Sequence, residues 1–203
     1  TWNSQTTFVF PIVHKKDTLW MYMGDRWSFP KQGSAASYVW QPVRIDTGKI
    51  FLPEYIESWK PASKGGFQMK NLGGKSVLNQ KIFFKQGTWI HENGCLISNE
   101  KDAIISFSFT GTKISLKAIT NNTSGYARIF LLDNHQQQVF STAIDCYSKN
   151  ETETQVFVSP ILTKGEYTLN IQVLGEHGSW TDKSKTMYGS KDNFVIVKEI
   201  YVL

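Results

Sequence analysis

The chain predicts an all-β protein in two parts, a small aromatic-rich sheet followed by a larger β-sandwich. Three observations carry that expectation. Short runs of alternating apolar and polar residues recur along the sequence, and turn residues interrupt them at close intervals. No segment holds a convincing helical period. A stretch rich in glycine and poor in apolar anchors separates the two parts. At 203 residues the chain can bury a core without staples.

Residues 1–60 read as four strands, at 6–14, 18–27, 36–45 and 48–57. Lys15-Lys16-Asp17, the loop from Pro30 to Ser34, and Asp46-Thr47-Gly48 separate them. Four short antiparallel strands in succession make up one propeller blade. A lone blade exposes both faces of its sheet, so it needs neighbours. Residues 61–80 contain Gly65-Gly66 and Gly73-Gly74 and read as a linker, with Phe67 or Leu72 as its one packing contact.

From 81 to 203 the expected strands lie near 81–91, 94–99, 102–109, 113–119, 125–132, 137–145, 154–159, 166–174 and 193–202. Phe107, Phe109, Ile114, Leu116, Ile129, Leu131, Leu169, Ile171 and Val173 fall at the period of two that half-buried strands require. So many strands without a helix predict a jelly-roll β-sandwich.

The opening segments Ser4-Gln5-Thr6-Thr7-Phe8-Val9-Phe10-Pro11, Tyr22-Met23-Gly24-Asp25-Arg26-Trp27 and Tyr38-Val39-Trp40-Gln41-Pro42 carry a likeness. In order and wording they resemble the last blade of the five-bladed β-propeller of glycoside hydrolase family 43, in its exo-β-1,3-galactanase-like branch. In the second part, Ser106-Phe107-Ser108-Phe109-Thr110-Gly111-Thr112-Lys113-Ile114-Ser115-Leu116 resembles a strand pair of galactose-binding-like sandwiches. Ala127 to Asp133, Lys164 to Leu169 and the closing strand from Phe194 extend that likeness over nearly the whole second domain. Such sandwiches serve as carbohydrate-binding modules beside glycosidases and esterases. The two resemblances imply a blade at 1–60, a linker at 61–80 and a carbohydrate-binding-like sandwich at 81–203. They also imply a parent enzyme whose earlier blades precede this chain.

Charge excludes little else. The net +5 comes from residues 1–80, with 10 Lys/Arg against 5 Asp/Glu, whereas 81–203 hold 12 of each. The cations are scattered singly, which reads as a solvated surface rather than a nucleic-acid footprint. No apolar run approaches the roughly 18 residues of a membrane helix. Cys95 and Cys146 fit either a disulfide or two buried thiols. No zinc spacing, Gly-rich phosphate loop or Gly-x-Ser-x-Gly elbow is present.

The candidate site residues follow from chemistry. In the resembled branch a Gln within Ser-Gln-Thr points into the central site and positions water; Ser4-Gln5-Thr6 matches, so the resemblance implies that role for Gln5. An amide can fix a water through one acceptor and two donors. The alternative for Gln5 is a hydrogen bond to a neighbouring loop at a strand start. Asp25, Arg26 and Trp27 can bind a sugar through carboxylate, guanidinium fork and indole face. Equally, Asp25 and Arg26 can brace adjacent blades with Trp27 packed between them. Trp20, Tyr38 and Trp40 read as core aromatics. Glycosidases need two carboxyl groups across one sugar, and no pair among Asp17, Asp25, Asp46, Glu54 and Glu57 fits, so this segment by itself is not expected to hydrolyse glycosides.

In the sandwich, loops at one end offer Trp89, Asn121, Asn122, Tyr126, Tyr147, His177, Trp180 and Tyr188 as sugar contacts, with His177, Trp180 and Tyr126 foremost. Glu176 to Asp182 reads as a loop carrying a Trp among small and polar residues, a pattern that suits binding or packing on the propeller. No cofactor is expected. Asp182 and Asp192 would be the residues for a structural Ca²⁺, although isolated carboxylates read first as solvated. The expected partner is an oligo- or polysaccharide, and the resemblance implies a secreted, periplasmic or cell-surface setting. A non-catalytic sugar-binding or adhesion protein is the competing expectation.

Overall fold

A computed structural model describes residues 4–25, 38–52, 54–56, 58–62, 66–69, 75–76, 78, 82–181 and 183–202. Every regular element among them is a strand. The chain divides into two compact units, Thr1–Leu72 and Gly73–Leu203.

In the first unit, β1 (Gln5–His14), β2 (Asp17–Asp25) and β3 (Tyr38–Pro42) form an antiparallel sheet in that order. The register sets Val9 opposite Tyr22 and Tyr22 opposite Gln41, while Phe8, Met23 and Trp40 form the neighbouring row. Side chains alternate between faces, so the two rows point opposite ways. Tyr22, Val39 and Val43, with Leu52 against them, make a small core on one face. The other face leaves Phe8 58%, Phe10 46% and Trp40 51% exposed.

The expected fourth strand at 48–57 is not added to this sheet. Instead β4 (Arg44–Asp46) and β5 (Lys49–Phe51) pair as a separate hairpin turning at Thr47 and Gly48. The chain beyond it is tied down by a side chain. Gln41, only 3% exposed, donates its amide N–H to the Ile56 carbonyl at 2.9 Å and accepts the Ile56 N–H at 2.8 Å. That link satisfies backbone groups a ladder would have used, and Pro53 in the sequence has no N–H to give one. Within the stretch expected to be a linker, β7 (Phe67–Met69) pairs with β6 (Trp59–Pro61), which begins just before it.

The second unit carries β8 (Lys75–Ser76), β9 (Ile82–Gln86), β10 (Ile90–Glu92), β11 (Cys95–Ser98), β12 (Ile104–Gly111), β13 (Ile114–Thr120), β14 (Tyr126–Asp133), β15 (Gln138–Asp145), β16 (Thr152–Val158), β17 (Gly165–Val173), β18 (Ser179–Thr181), β19 (Met187–Gly189) and β20 (Val195–Val202). One sheet orders β10-β11-β20-β13-β16, with β8 also on β20, and the other orders β15-β14-β17-β12-β9. Neither closes into a barrel. Their inner faces share one core, to which Leu96, Leu116, Val197 and Ile200 come from the first sheet and Phe107, Ile129, Leu131, Leu169 and Ile171 from the second. This is a β-sandwich, and the period-two residues read from the sequence line it.

The single strand expected at 81–91 is split between the two sheets. The break falls at Gly87, whose φ of 68° is left-handed and whose missing Cβ makes room for Ala103. The Glu100 carboxylate then accepts the Thr88 N–H at 2.8 Å, so the chain can leave one sheet for the other with its donor satisfied. Cys95 and Cys146 are both buried and free.

Candidate functional site

In the first unit the ladder places Gln5 directly opposite Asp25, and Asp25 directly opposite Tyr38. Residues so paired hold their Cβ atoms about 5 Å apart. An amide, a carboxylate and a phenol therefore share a row at the end of the sheet. Gln5 is exposed, Asp25 half-buried and Tyr38 67% exposed. Beside the row, the Ser4 and Tyr22 hydroxyls meet at 3.0 Å over Gly24. A Cβ on Gly24 would lie 2.6 Å from the Tyr22 hydroxyl and 2.7 Å from Ser4 Oγ, so this glycine is what lets the two hydroxyls close over the strand. Arg26 and Trp27 lie outside the described residues. The row can position a polar ligand or a water, and its one carboxylate falls short of the pair that glycoside hydrolysis uses.

In the sandwich, the strand directions bring the β9–β10, β13–β14, β15–β16 and β17–β20 connections to one end. All eight sequence candidates of this domain lie there. Backbone bonds lace the loops together: Tyr126 N–H donates to Glu176 O at 2.8 Å, Ser148 N–H to Asn121 O at 3.0 Å, Lys191 N–H to Asn122 O at 2.9 Å and Cys146 N–H to Gly125 O at 3.1 Å. Asn121 spends its side chain internally, accepting from Thr123 N–H at 2.9 Å, the Thr123 hydroxyl at 2.8 Å and the Ser124 hydroxyl at 3.0 Å. His177 Nδ1 meets Asn193 Oδ1 at 2.6 Å.

The loop expected at 176–182 contains a strand, and Trp180 is not an open platform. It pairs with Tyr188 across the β18–β19 hairpin, is 8% exposed, and meets the Tyr147 ring edge-on at 5.7 Å between centroids. A sugar face needs an uncovered indole face, which this packing removes. Trp89 is also buried, in the shared core. Tyr126 and Tyr147 remain half-buried at the rim. Burial, with Asp145 adding to it, pushes both phenols above their ordinary value, and Glu176 adds further for Tyr126. Both are therefore neutral donors and acceptors at physiological pH, which suits hydroxyl-bearing ligands.

Asp145, which neither composition nor motif marked, emerges as the organiser beside them. It accepts the Tyr147 N–H at 2.8 Å. Burial, aided by Asp145, pushes the Cys146 thiol up to about 12, so that thiol is no nucleophile. Asp192 Oδ1 accepts from Asn99 Nδ2 at 3.2 Å and from Asn193 N–H at 2.7 Å. Asp182 lies outside the described residues. Among the described residues no three His, Cys, Asp or Glu side chains gather as metal ligands, and no helix is long and apolar enough to cross a membrane.

No protein-family model matches the chain, and no curated protein matches it in sequence. Solved structures do share its fold. The exo-β-1,3-galactanase of Phanerochaete chrysosporium, solved with galactose, superposes at a TM-score of 0.55 with 16% identity over 100% of this chain and 44% of that one. A variant of that enzyme with β-1,3-galactotriose gives 0.54 and 15% over the same shares. A family two carbohydrate esterase from Cellvibrio japonicus covers 64% of this chain and 32% of its own at a TM-score of 0.39, too loose for any inference. The chain thus spans less than half the length of the galactanase it matches.

Proposed function

We propose that this chain is the C-terminal part of a secreted glycoside hydrolase acting on a β-galactan or related glycan. Residues 1–60 would supply the last blade of its propeller, and the sandwich would be an attached carbohydrate-binding module. The observation that carries the reading is the uncovered apolar face of the first unit. Phe8, Phe10 and Trp40 stand exposed on a sheet whose buried cluster among the described residues is Tyr22, Val39 and Val43, with Leu19 and Met21 buried beside the exposed aromatics, as expected of a wedge whose neighbours would cover it. The fold shared with a galactanase over the whole chain supports this.

In this reading Gln5 positions a water or substrate hydroxyl, Asp25 lies beside it, and Arg26 and Trp27 complete the pocket wall. The catalytic carboxylates come from the preceding blades. At the sandwich end Tyr126, Tyr147 and His177 meet the glycan, while Trp180 supports Tyr147 from beneath.

The test is a pair of measurements. The chain as given should release no sugar from β-1,3-galactan. A protein extended upstream through the preceding blades should hydrolyse it, with Gln5→Ala losing kcat far more than binding. Hydrolysis unaffected by Gln5→Ala would remove that residue from the site. Glycan binding with no hydrolysis in the extended protein would favour a lectin-like, non-catalytic protein.

A further inference from the structure

A groove of about 400 Å³ opens in the first unit, away from the Gln5–Asp25–Tyr38 row. Leu19 and Val43 form its buried floor; Trp20, Phe51 and Phe67 stand around it, and Thr18, Arg44 and Asp46 bring polar groups. Trp20 and Phe51 expose 39% and 40% of their surface. Arg44 and Asp46 are two apart on β4, so they share a face about 7 Å apart along the strand. Arg44 faces Phe51 across the hairpin, and its guanidinium stands 5.3 Å from the Phe67 ring centre. Among the described residues neither Arg44 nor Asp46 makes an ion pair or side-chain hydrogen bond.

We propose that this groove is a binding subsite for one or two neutral sugar units of an oligosaccharide. Its volume lies within the range of small-molecule sites. Aromatic walls accept the apolar face of a pyranose. A guanidinium fork and a carboxylate, each with unspent hydrogen-bonding capacity, take its hydroxyls from both sides. Charge decides between ligands: one cation and one carboxylate line the groove, so it offers no net attraction to phosphate or an acidic sugar. The ligand class rests on the carbohydrate reading above, whereas the site itself is separate from both places proposed there. In an extended enzyme it would hold the glycan at a distance from the bond being cut.

The test uses the intact chain, followed by NMR of the Trp20 indole N–H, assigned with Trp20→Phe. It is titrated with β-1,3-galactobiose and, in parallel, with inorganic phosphate and galacturonic acid. The disaccharide should shift the Trp20 signal saturably and the two anions should not. Arg44→Gln and Asp46→Asn should each weaken the disaccharide by about tenfold, as loss of a charge-assisted pair does. Both side chains are exposed, and a retained spectrum of β1–β3 verifies their folding. Lys164→Ala, on an exposed turn of the sandwich, should change nothing. A shift at tyrosines of the sandwich with none at Trp20 would overturn this subsite and leave the carbohydrate reading standing. No shift anywhere would sink both, and a response to the anions alone would make the groove an anion site.

Discussion

The two units are built from the same kind of alternating strand, yet they dispose of apolar surface in opposite ways. Among the described residues, the sandwich sends nineteen buried residues into one core between two sheets. Among the described residues of the first unit, Tyr22, Val39 and Val43 cluster as a small core, Leu19, Met21 and Ile56 are buried apart from it, and Phe8, Phe10 and Trp40 remain exposed. Aromatic content runs the other way, with 13 Phe, Trp and Tyr in residues 1–72 and 15 in residues 73–203. A sheet buries one face when another sheet or helix covers it, and in the sandwich two sheets cover each other. The difference teaches that alternation alone does not decide how much of a sheet is buried; what packs on it does.

Several substitutions would break or sharpen this contrast. Ile171 sits fully buried at the centre of the sandwich, so Ile171→Ala should cost about 3 kcal/mol in urea unfolding of that unit. A cost below about 1 kcal/mol would mean the shared core is loose. Gln41→Ala removes both bonds to Ile56 and leaves buried backbone groups unpaired, a loss of about 2 kcal/mol. In a unit with so small a core, that should erase the β1–β3 signals while the sandwich transition stays in place.

Alkaline titration gives a smaller, graded effect. Burial raises the Cys146 thiol to about 12 in the folded chain, from an ordinary value of 9.0. The folded state keeps that proton where the unfolded chain has released it. Stability is therefore complete below pH 9 and declines as pH rises toward 12, by up to about 1.4 kcal/mol per pH unit. Cys146→Ala should flatten the slope, leaving what Tyr126 and Tyr147 contribute in the same direction. An unchanged slope would mean that the thiol is solvated.

The smallest effect is the most telling. Phe10→Ser on the open face should change the stability of this chain by less than about 0.5 kcal/mol and reduce self-association seen by light scattering. A large destabilisation would show that the face is already covered.

Much of this was legible in the sequence, for definite reasons. The period of two in Phe107, Phe109, Ile129, Leu131, Leu169, Ile171 and Val173 reports burial on one face directly, so the sandwich core was readable. The split at Gly87 was not, because apolar and aromatic residues flank Lys85 to Thr88 on both sides and the sheet exchange depends on Ala103 and Glu100 farther along the chain. A fourth strand of the sheet was expected at 48–57 because Gln41 looks like an ordinary strand residue until Ile56 lies against it. At the sandwich end, loop position did not reveal that Trp180 is buried, with its ring edge-on to Tyr147. That burial comes from a hairpin whose two strands are three residues each. Asp145 carries no motif; only its place beside Tyr147 and Cys146 reveals it.

Native-state hydrogen exchange on the intact chain tests the central claim most directly. The amides of β1, β2 and β3 should exchange through low-energy opening, well before those of β12, β14 and β17, which should require global unfolding of the sandwich. Equal, strong protection in both sheets would contradict the account, because a small sheet with exposed aromatics cannot be as resistant to opening as a core closed between two sheets.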